Sequence, residues 1–344
     1  MSLSEKQRSE IMDWILDNIR AHPNDIASLA QSRYHLSRIT INKYLQKLIA
    51  EKKLQGEGNT RNRTYILLPA AVFEKTYAIT QDLAEDRVWR NDILPLMTGQ
   101  NENILRICEF GFSEILNNAI DHSEGKTVTV KIELFPDQVA VLIRDDGIGI
   151  FNKIAKEYHL DDPYTAILEL SKGKLTTQPE NHTGEGIFFA SRMFDRFSIL
   201  SHKLTFGSAE KVDTLIEDDK EIEGTLVVMQ ISPSSARTTR QVFDEYSEVD
   251  RGFDKTVVPV SLVKYGNENL VSRSQAKRML SRLEKFKVVM LDFVEINEIG
   301  RAFADETFRV FANAHPTMKL IPINTTDSVK NLIDEIVKNN VSEN

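Results

Sequence analysis

The stretch that decides the fold of the central part of the chain reads FSEILNNAIDH, from Phe112 to His122. It lies in a helix expected over residues 101–122, whose apolar residues recur at the spacing of one helix face. Glu114, Asn118 and Asp121 stand at positions i, i+4 and i+7, so they share a face of that helix. Taken alone, such a polar stripe is typical of a solvent-exposed face, and only the sequence that follows gives it another meaning.

Three glycine-bearing segments follow this helix. Strands are expected over residues 127–134 and 138–144, and the second strand runs into Asp145-Asp146-Gly147-Ile148-Gly149. The glycines let a ligand approach the backbone closely, although calcium loops and plain turns contain the same pattern. His182-Thr183-Gly184-Glu185-Gly186 is a short turn that opens a helix and presents backbone N–H groups to phosphate. The last segment is Gly224-Thr225, a step into a strand.

The order of these four elements resembles that of the gyrase, Hsp90, histidine-kinase and MutL (GHKL) ATPase superfamily, over about residues 75–232. The resemblance implies a two-layer α/β sandwich of the Bergerat type, in which ATP lies on a mixed sheet under a mobile lid. It implies a general base at Glu114 and an Mg²⁺ ligand at Asn118, whose amide oxygen is a suitable hard donor. It also implies that the carboxylate of Asp145 accepts a hydrogen bond from the adenine amino group.

The same resemblance implies the remaining nucleotide-binding residues. Gly147 and Gly149 leave room for the base, and Thr225 supports the adenine-binding end of the site. The expected set is completed by Asp121, Lys172, Lys174, Thr183, Gly184, Glu185 and Gly186. The glycines wrap the phosphates, and either lysine could reach a terminal phosphate when an expected lid, about residues 151–183, closes. An exposed loop is the alternative for the lysines. His182 stands where the family often has a further glycine, so the phosphate loop is expected to differ in stiffness or shape.

Residues 1–69, which we call the head, read as three short helices followed by a basic hairpin. This order resembles a winged helix-turn-helix, whose third helix meets base edges in the major groove with its N-terminal residues. The resemblance implies that the head is a DNA-binding domain. The residues implied to contact DNA are Arg38, Thr40, Asn42 and Lys43 on the third helix and Arg61 and Arg63 in the hairpin. A three-helix protein-interaction module is the alternative.

Charge is distributed unevenly along the 344 residues. The head holds 11 Lys/Arg and 7 Asp/Glu, a balance of +4, so that the net charge of −8 leaves −12 on the remainder. A basic head on an acidic body indicates that only the head meets DNA. The single cysteine, Cys108, excludes an internal disulfide and fits a reducing compartment. A polar N-terminus and the absence of an apolar stretch of roughly 20 residues favour a soluble, cytoplasmic protein without membrane contact.

The C-terminal part is expected to be a small α/β domain over residues 255–340, after a connector over 233–254. Strands are expected over 256–260, 288–293 and 320–323, with helices between them. The segment from Val288 to Glu306 resembles a STAS-like domain, the fold of anti-anti-sigma factors, which implies a protein partner. Those factors carry a phosphorylated serine where this chain reads Ile299-Gly300-Arg301-Ala302, so a phospho-switch is not expected here.

The whole chain therefore resembles multidomain bacterial regulators that combine α+β and α/β domains. The first hypothesis is that ATP and Mg²⁺ in the GHKL domain control the winged helix and the STAS-like domain. The alternative is an active GHKL enzyme: a slow ATPase that works as a homodimer, or an anti-sigma-like serine/threonine protein kinase. An interaction scaffold with a vestigial ATP site is a third hypothesis. The histidines form no ligand-spaced pair, so a zinc site is not expected. The dimerisation helix of sensor kinases, with its His-Glu/Asp and nearby Pro, is not seen in the preceding segment, so a classical autophosphorylating histidine kinase is not expected either.

Overall fold

The computed structural model describes residues 4–59, 63–175, 184–248, 252–264 and 268–342. The described residues form a head with its own hydrophobic core and a larger body with one continuous core. None of the helices in these ranges is both long enough and apolar enough to cross a membrane.

The head contains three helices and a two-stranded antiparallel hairpin. In chain order these are α1 (Glu5–Asn18), α2 (Ile26–Tyr34), α3 (Arg38–Ala50), β1 (Leu54–Glu57) and β2 (Thr64–Leu67). Ser4 caps α1 in a reciprocal capping box with Gln7, and the hydroxyl of Ser37 accepts a hydrogen bond from the N–H of Thr40 at the start of α3. The three helices and the hairpin lie where the sequence predicts them, except that residues 60–62 lie outside the described residues.

The middle of the chain forms a five-stranded sheet covered by helices. Its elements are β3 (Ala71–Ala78), α4 (Glu85–Val88), α5 (Glu102–His122), β4 (Thr127–Leu134), β5 (Val139–Asp145), α6 (Ile150–Glu157), α7 (Pro163–Lys172), α8 (Gly186–Met193), β6 (Arg196–Ala209) and β7 (Val212–Ile231). The strand order is β3-β4-β5-β7-β6, with every neighbouring pair antiparallel. Helix α5 lies on this sheet and against α8, because its apolar stripe is buried in the core.

The acidic and polar stretch over residues 212–224 belongs to strand β7 rather than to a solvent loop. Strand β7 pairs with β6 up to Ala209 and Val212. Glu210 and Lys211 alone connect them, with φ of 51° and 67°. Positive φ at both residues is the geometry of two-residue hairpin loops. The acidic side chains of β7 from Glu217 to Glu223 are exposed, which lets a charged sequence form a strand there.

Two further features lie between the sheet strands. Helix α4 passes into a π-helical turn, Trp89–Ile93, which ends before Pro95, a residue that has no N–H to continue a helix. Of the lid expected over 151–183, the described part is not an open loop but contains α6 and α7, which pack against each other. Residues 176–183 lie outside the described residues.

The C-terminal part begins with a segment that packs against the body. It contains α9 (Thr239–Tyr246), β8 (Ser247–Glu248) and β9 (Gly252–Phe253). The rings of Phe243, Tyr246 and Phe253 lie against Phe188 and Phe189 of α8, with ring centroids 4.5–6.4 Å apart. The aromatic side chains of the described part of 233–254 are therefore packed against the body core.

The last part of the chain is an α/β unit with a three-stranded parallel sheet in the order β10-β11-β12. Its elements are β10 (Lys255–Pro259), α10 (Arg273–Leu280), β11 (Val288–Asp292), α11 (Arg301–Asp305), α12 (Ala312–Ala314), β12 (Lys319–Ile323) and α13 (Asp327–Ser342). The strands lie where alternation in the sequence predicts them. Helix α7 of the middle part contacts β10, so the two units share a boundary.

Candidate functional site

A cavity lies between the sheet, α5 and the helices α6, α7 and α8. Its lining joins residues that are up to 112 positions apart in the chain, and most of the lining is apolar. The lining residues are Ile115, Asn118, Ala119, His122, Ser123, Ile143, Asp145, Gly149, Ile150, Lys153, Ile154, Tyr158, Leu170, Leu175, Gly184, Ile187, Thr225 and Val227. The motifs that the sequence separates widely therefore meet at one pocket.

Asp145, at the end of β5, places a buried carboxylate in this cavity; the residue is 7% exposed. Its Oδ1 accepts hydrogen bonds from the N–H of Gly147 at 2.9 Å and of Thr225 at 3.2 Å. Burial raises the pKa of Asp145, and the two backbone donors act against that shift. Because both backbone bonds end on Oδ1, Oδ2 is not committed to them and can accept an N–H from a ligand.

Thr225 and Gly149 shape the same end of the cavity. The buried hydroxyl of Thr225 accepts a hydrogen bond from the N–H of Ile150 at 3.0 Å, which ties β7 to the first residue of α6. Gly149 has a φ of +84°, and a Cβ there would lie 2.4 Å from the hydroxyl of Ser201. A larger residue at position 149 would therefore strain the backbone and collide with β6.

Glu114 lies beside the cavity, one residue before Ile115, which lines it. A Cβ on Gly186 would stand 1.8 Å from Glu114 Oε2, so the carboxylate occupies the space next to the first residue of α8. A helix N-terminus carries a partial positive charge and favours a negative group close to it. Glu114 is half-buried, as is Asn118 one turn later, which lines the cavity.

The other residues expected at the nucleotide are divided between the cavity and its surroundings. Gly184 lines the cavity, and Gly147 binds Asp145 through its N–H. Glu185 is the N-cap residue of α8. Asp121 is exposed and does not belong to the lining. Thr183 lies outside the described residues.

Neither lysine lines the cavity, and the alternative of an exposed loop is wrong for Lys172. Lys172 is 2% exposed, and its Nζ donates to Glu169 Oε1 at 2.7 Å and to the carbonyl of Ser281 at 2.8 Å. Burial lowers the pKa of Lys172 through desolvation, against the effect of Glu169. Lys174 Nζ donates to the carbonyl of Lys285 at 3.1 Å. In this conformation both ammonium groups bind the C-terminal part of the chain, which supplies acceptors that a sequence motif cannot reveal.

Several lining residues were not expected from the sequence. Lys153 of α6 lies at the cavity and pairs with Glu124 and Glu157, each at 2.7 Å; its pKa is raised, mainly by the hydrogen bond with Glu124. Tyr158, the residue that ends α6, also lines the cavity. The sequence does contain a signal for Lys153. It stands four residues after Gly149, on the helix that follows the two glycines.

A preformed metal cluster is not part of this arrangement. Among the described residues, no group of three or more His, Cys, Asp or Glu side chains could hold a metal ion. Mg²⁺ commonly keeps several waters and is bound through substrate phosphates and one or two protein oxygens. The amide of Asn118 in the cavity fits that mode of binding, because it offers one hard oxygen without a charged cage.

The head residues expected to contact DNA differ in their exposure to solvent. Arg38, Asn42 and Lys43 are exposed on α3, and Thr40 is half-buried. Arg63 is packed into the hairpin: its guanidinium lies 5.7 Å from the ring centroid of Tyr65. Arg61 lies outside the described residues.

Comparisons with known proteins agree with the geometry of the cavity. Residues 109–229 match the family model of the histidine kinase-, DNA gyrase B- and HSP90-like ATPases. This part of the chain is a GHKL-type ATPase domain. Residues 275–330 match a STAS-like domain of unknown function. A search of curated proteins found no match.

The GHKL-type ATPase domain contains Glu114, Asn118, Asp145 and Thr225, four of the polar residues in or beside the cavity. Such a domain implies ATP binding, and Mg²⁺ is usual for this family. The STAS-like domain suggests protein interaction. Together, the two domains fit an ATP-binding regulator.

Proposed function

We propose that the chain is an ATP-controlled, DNA-binding regulator. In this proposal the cavity binds ATP with Mg²⁺ and the head binds duplex DNA. The observation that carries the proposal is the buried carboxylate of Asp145 in a cavity that Asn118 also lines, with Glu114 at its edge. Two carboxylates and one amide, from α5 and from the end of β5, thus lie in or beside one pocket.

Each group would have a distinct task. The Oδ2 of Asp145 would accept the adenine amino group, while Thr225 fixes the carboxylate through its N–H. The amide oxygen of Asn118 would bind Mg²⁺, which neutralises phosphate charge when it is bound. Backbone amides at Gly184 and at the start of α8 would bind phosphate oxygens, because a helix N-terminus favours anions. Glu114 would take a proton from an attacking water or hydroxyl.

The head would receive the signal through its contact with the ATPase domain. Arg20 Nε donates to Asp137 Oδ2 at 2.8 Å, and its guanidinium lies 4.3 Å from the ring centroid of Phe135. Phe135 and Asp137 belong to the turn that leads into β5, the strand that ends at Asp145. For a switch, nucleotide must bind the two conformations with different affinity, by on the order of 5 kcal/mol for a nearly complete change of state.

Two measurements test this proposal. Calorimetry with ATP and Mg²⁺ should give saturable binding, and D145N should weaken it strongly; undiminished binding by D145N would contradict the adenine role. The affinity of the chain for duplex DNA should then differ between ATP, ADP and no nucleotide. Equal affinities in all three conditions would refute the coupling between the sites but leave the nucleotide site intact.

A second candidate function is an enzyme proper, and the position of Glu114 favours it. A site that only binds nucleotide has no need of a base, yet this carboxylate lies against Gly186 at the edge of the cavity. The reaction would be slow hydrolysis, in a form that works as a homodimer, or transfer of phosphate to a serine or threonine of a partner. Incubation with γ-labelled ATP separates the cases: free phosphate indicates hydrolysis, label on protein indicates a kinase, and neither supports a sensor.

A further inference from the structure

Arg282 of the STAS-like domain contacts Tyr158, a residue that lines the cavity. Arg282 follows α10 and has a left-handed backbone with φ of 60°. The centre of its guanidinium lies 4.7 Å from the ring centroid of Tyr158, within the distance of a cation–π interaction. A guanidinium nitrogen also donates to the carbonyl of Tyr158 at 3.3 Å. Tyr158 itself lines the cavity, so a residue of the STAS-like domain holds a side chain of the pocket.

The same guanidinium joins a buried ion pair on α7. Arg282 lies 3.5 Å from Glu169 Oε2, and Lys172 Nζ lies 2.7 Å from Glu169 Oε1. Glu169 and Lys172 are each 2% exposed. Lys172 also donates to the carbonyl of Ser281, the residue before Arg282. The carboxylate of Glu169 is therefore shared by a cation of its own helix and a cation of the other domain.

A second set of contacts between the two domains lies next to Gly184, the first residue of the Gly184-Glu185-Gly186 turn. Lys174 and Lys285 each donate through Nζ to the other's carbonyl, at 3.1 and 3.3 Å. The next residue, Leu175, donates through its N–H to the carbonyl of Gly184 at 3.2 Å. Leu175 and Gly184 both line the cavity. The STAS-like domain thus holds the pocket wall at Tyr158 and at Lys174, on two sides of the Glu169–Lys172 pair.

From these contacts we propose that Arg282 is a positioning residue of the nucleotide pocket, which makes the STAS-like domain a structural part of that pocket. The proposal rests on the proposed function, because it assumes that the cavity binds ATP. Arg282 acts through Tyr158: it fixes the ring and the end of α6 before the ligand arrives, so that binding does not have to order them. A partner that displaced the STAS-like domain from α7 would then lower the affinity for ATP.

The test compares R282Q and R282K with R301Q. Arg301 belongs to the same domain but forms a surface ion pair with Glu335, and its side chain is 65% exposed. Calorimetry should show ATP affinity weakened about three- to thirtyfold in R282Q, the range of a partly desolvated cation–π contact. R282K should recover part of that loss because it keeps the positive charge, and R301Q should bind ATP as the wild type does. R282Q is expected to fold, since Lys172 still neutralises Glu169.

A double-mutant cycle with Y158A separates positioning from general structural weakening. If Arg282 acts through Tyr158, R282Q/Y158A should bind ATP no more weakly than Y158A alone. Additive losses in the double variant would overturn the proposal, as would a wild-type affinity in R282Q. The free energy of unfolding of each variant is measured in parallel without nucleotide. If Arg282 had a purely structural role, R282Q would lower this free energy, and its loss of ATP affinity would add to that of Y158A. A wild-type chain that binds no ATP would instead refute the proposed function and this inference with it.

Discussion

The carboxylate of Glu114 occupies the space in which a side chain on Gly186 would begin: a Cβ there would stand 1.8 Å from Oε2. A carboxylate of α5 thus lies against the first residue of α8, 72 positions later in the chain. The contact requires that residue 186 has no side chain.

The first prediction concerns this contact. G186A should move the carboxylate, because the end of a flexible side chain yields more easily than the backbone of a helix. If the chain hydrolyses ATP with Glu114 as the general base, phosphate release should then fall toward the level of E114A, on the order of a hundredfold. ATP binding should survive in E114A. The measure is release of labelled phosphate at saturating ATP.

A matched control for this substitution is G207A, on β6, where a new Cβ would meet only the hydroxyl of Thr214 at 2.8 Å. G207A should keep the turnover of the wild type. The double variant E114A/G186A should be no slower than E114A, because the carboxylate that the methyl group displaces is already gone. A wild-type rate in G186A would show that Glu114 is not the base.

The second prediction concerns the cost of burying Asp145. Burial raises the pKa of this carboxyl above 3.8, so the folded state binds its proton more tightly than the unfolded state does. The free energy of unfolding contributed by Asp145 therefore falls as pH rises from 3.8 to the raised pKa, and stays low at neutral pH. D145N has no such charge, so its stability relative to the wild type should rise across that window.

D145N should therefore lose ATP affinity without losing stability at pH 7. Chemical denaturation of both proteins from pH 3.5 to 8 measures the difference. A D145N protein that is less stable than the wild type at pH 7, by an amount independent of pH, would mean that the hydrogen bonds with Gly147 and Thr225 outweigh the desolvation of the charge.

The sequence could predict the parts of the site that repeat a motif. Glu114, Asn118 and Asp145 are expected together, and the structure places Asn118 and Asp145 in one cavity with Glu114 beside it, because α5 packs on the strand that ends at Asp145. Tyr158 and the buried state of Lys172 could not be predicted in this way, because both depend on contacts with a domain more than 100 residues further along the chain. The hairpin of β6 and β7 was missed because its turn, Glu210-Lys211, lacks the Asn-Gly or Asp-Gly signal.

The third prediction concerns the ion pair that holds this hairpin to α8. Arg192 binds Asp213 through two hydrogen bonds of 2.6 Å, and both side chains are buried. D213N should lower the free energy of unfolding by about 3–5 kcal/mol, because it leaves a buried guanidinium without its counter-charge. D86A, which removes an exposed pair with Arg90, should change stability little. Equal effects of the two variants, measured by urea denaturation, would contradict the argument from burial.

The fourth prediction concerns the exposed face of α3. Arg38 and Lys43 lie on this face together with Ile39, an apolar side chain that is 72% exposed. If the face meets DNA, R38A and K43A should each reduce the slope of log affinity against log salt by about 0.9, the value for one phosphate contact. I39A should leave that slope unchanged. K6A, on α1, serves as the charge-matched control, and a slope that no α3 variant alters would favour a protein-interaction module instead.

The last prediction concerns the contact between the head and the ATPase domain. Arg20 is the head residue that binds the turn before β5, by its ion pair with Asp137 and its stacking on Phe135. If nucleotide acts on the head through this contact, R20A should bind ATP and DNA separately as the wild type does, yet its DNA affinity should no longer depend on nucleotide. R33A is the matched control, because Arg33 stacks on Trp14 within the head, 5.2 Å from its ring centroid. If the DNA affinity of R20A still depended on nucleotide, the coupling would not run through Arg20. Loss of a surface ion pair changes the free energy of unfolding little, so R20A should remain folded.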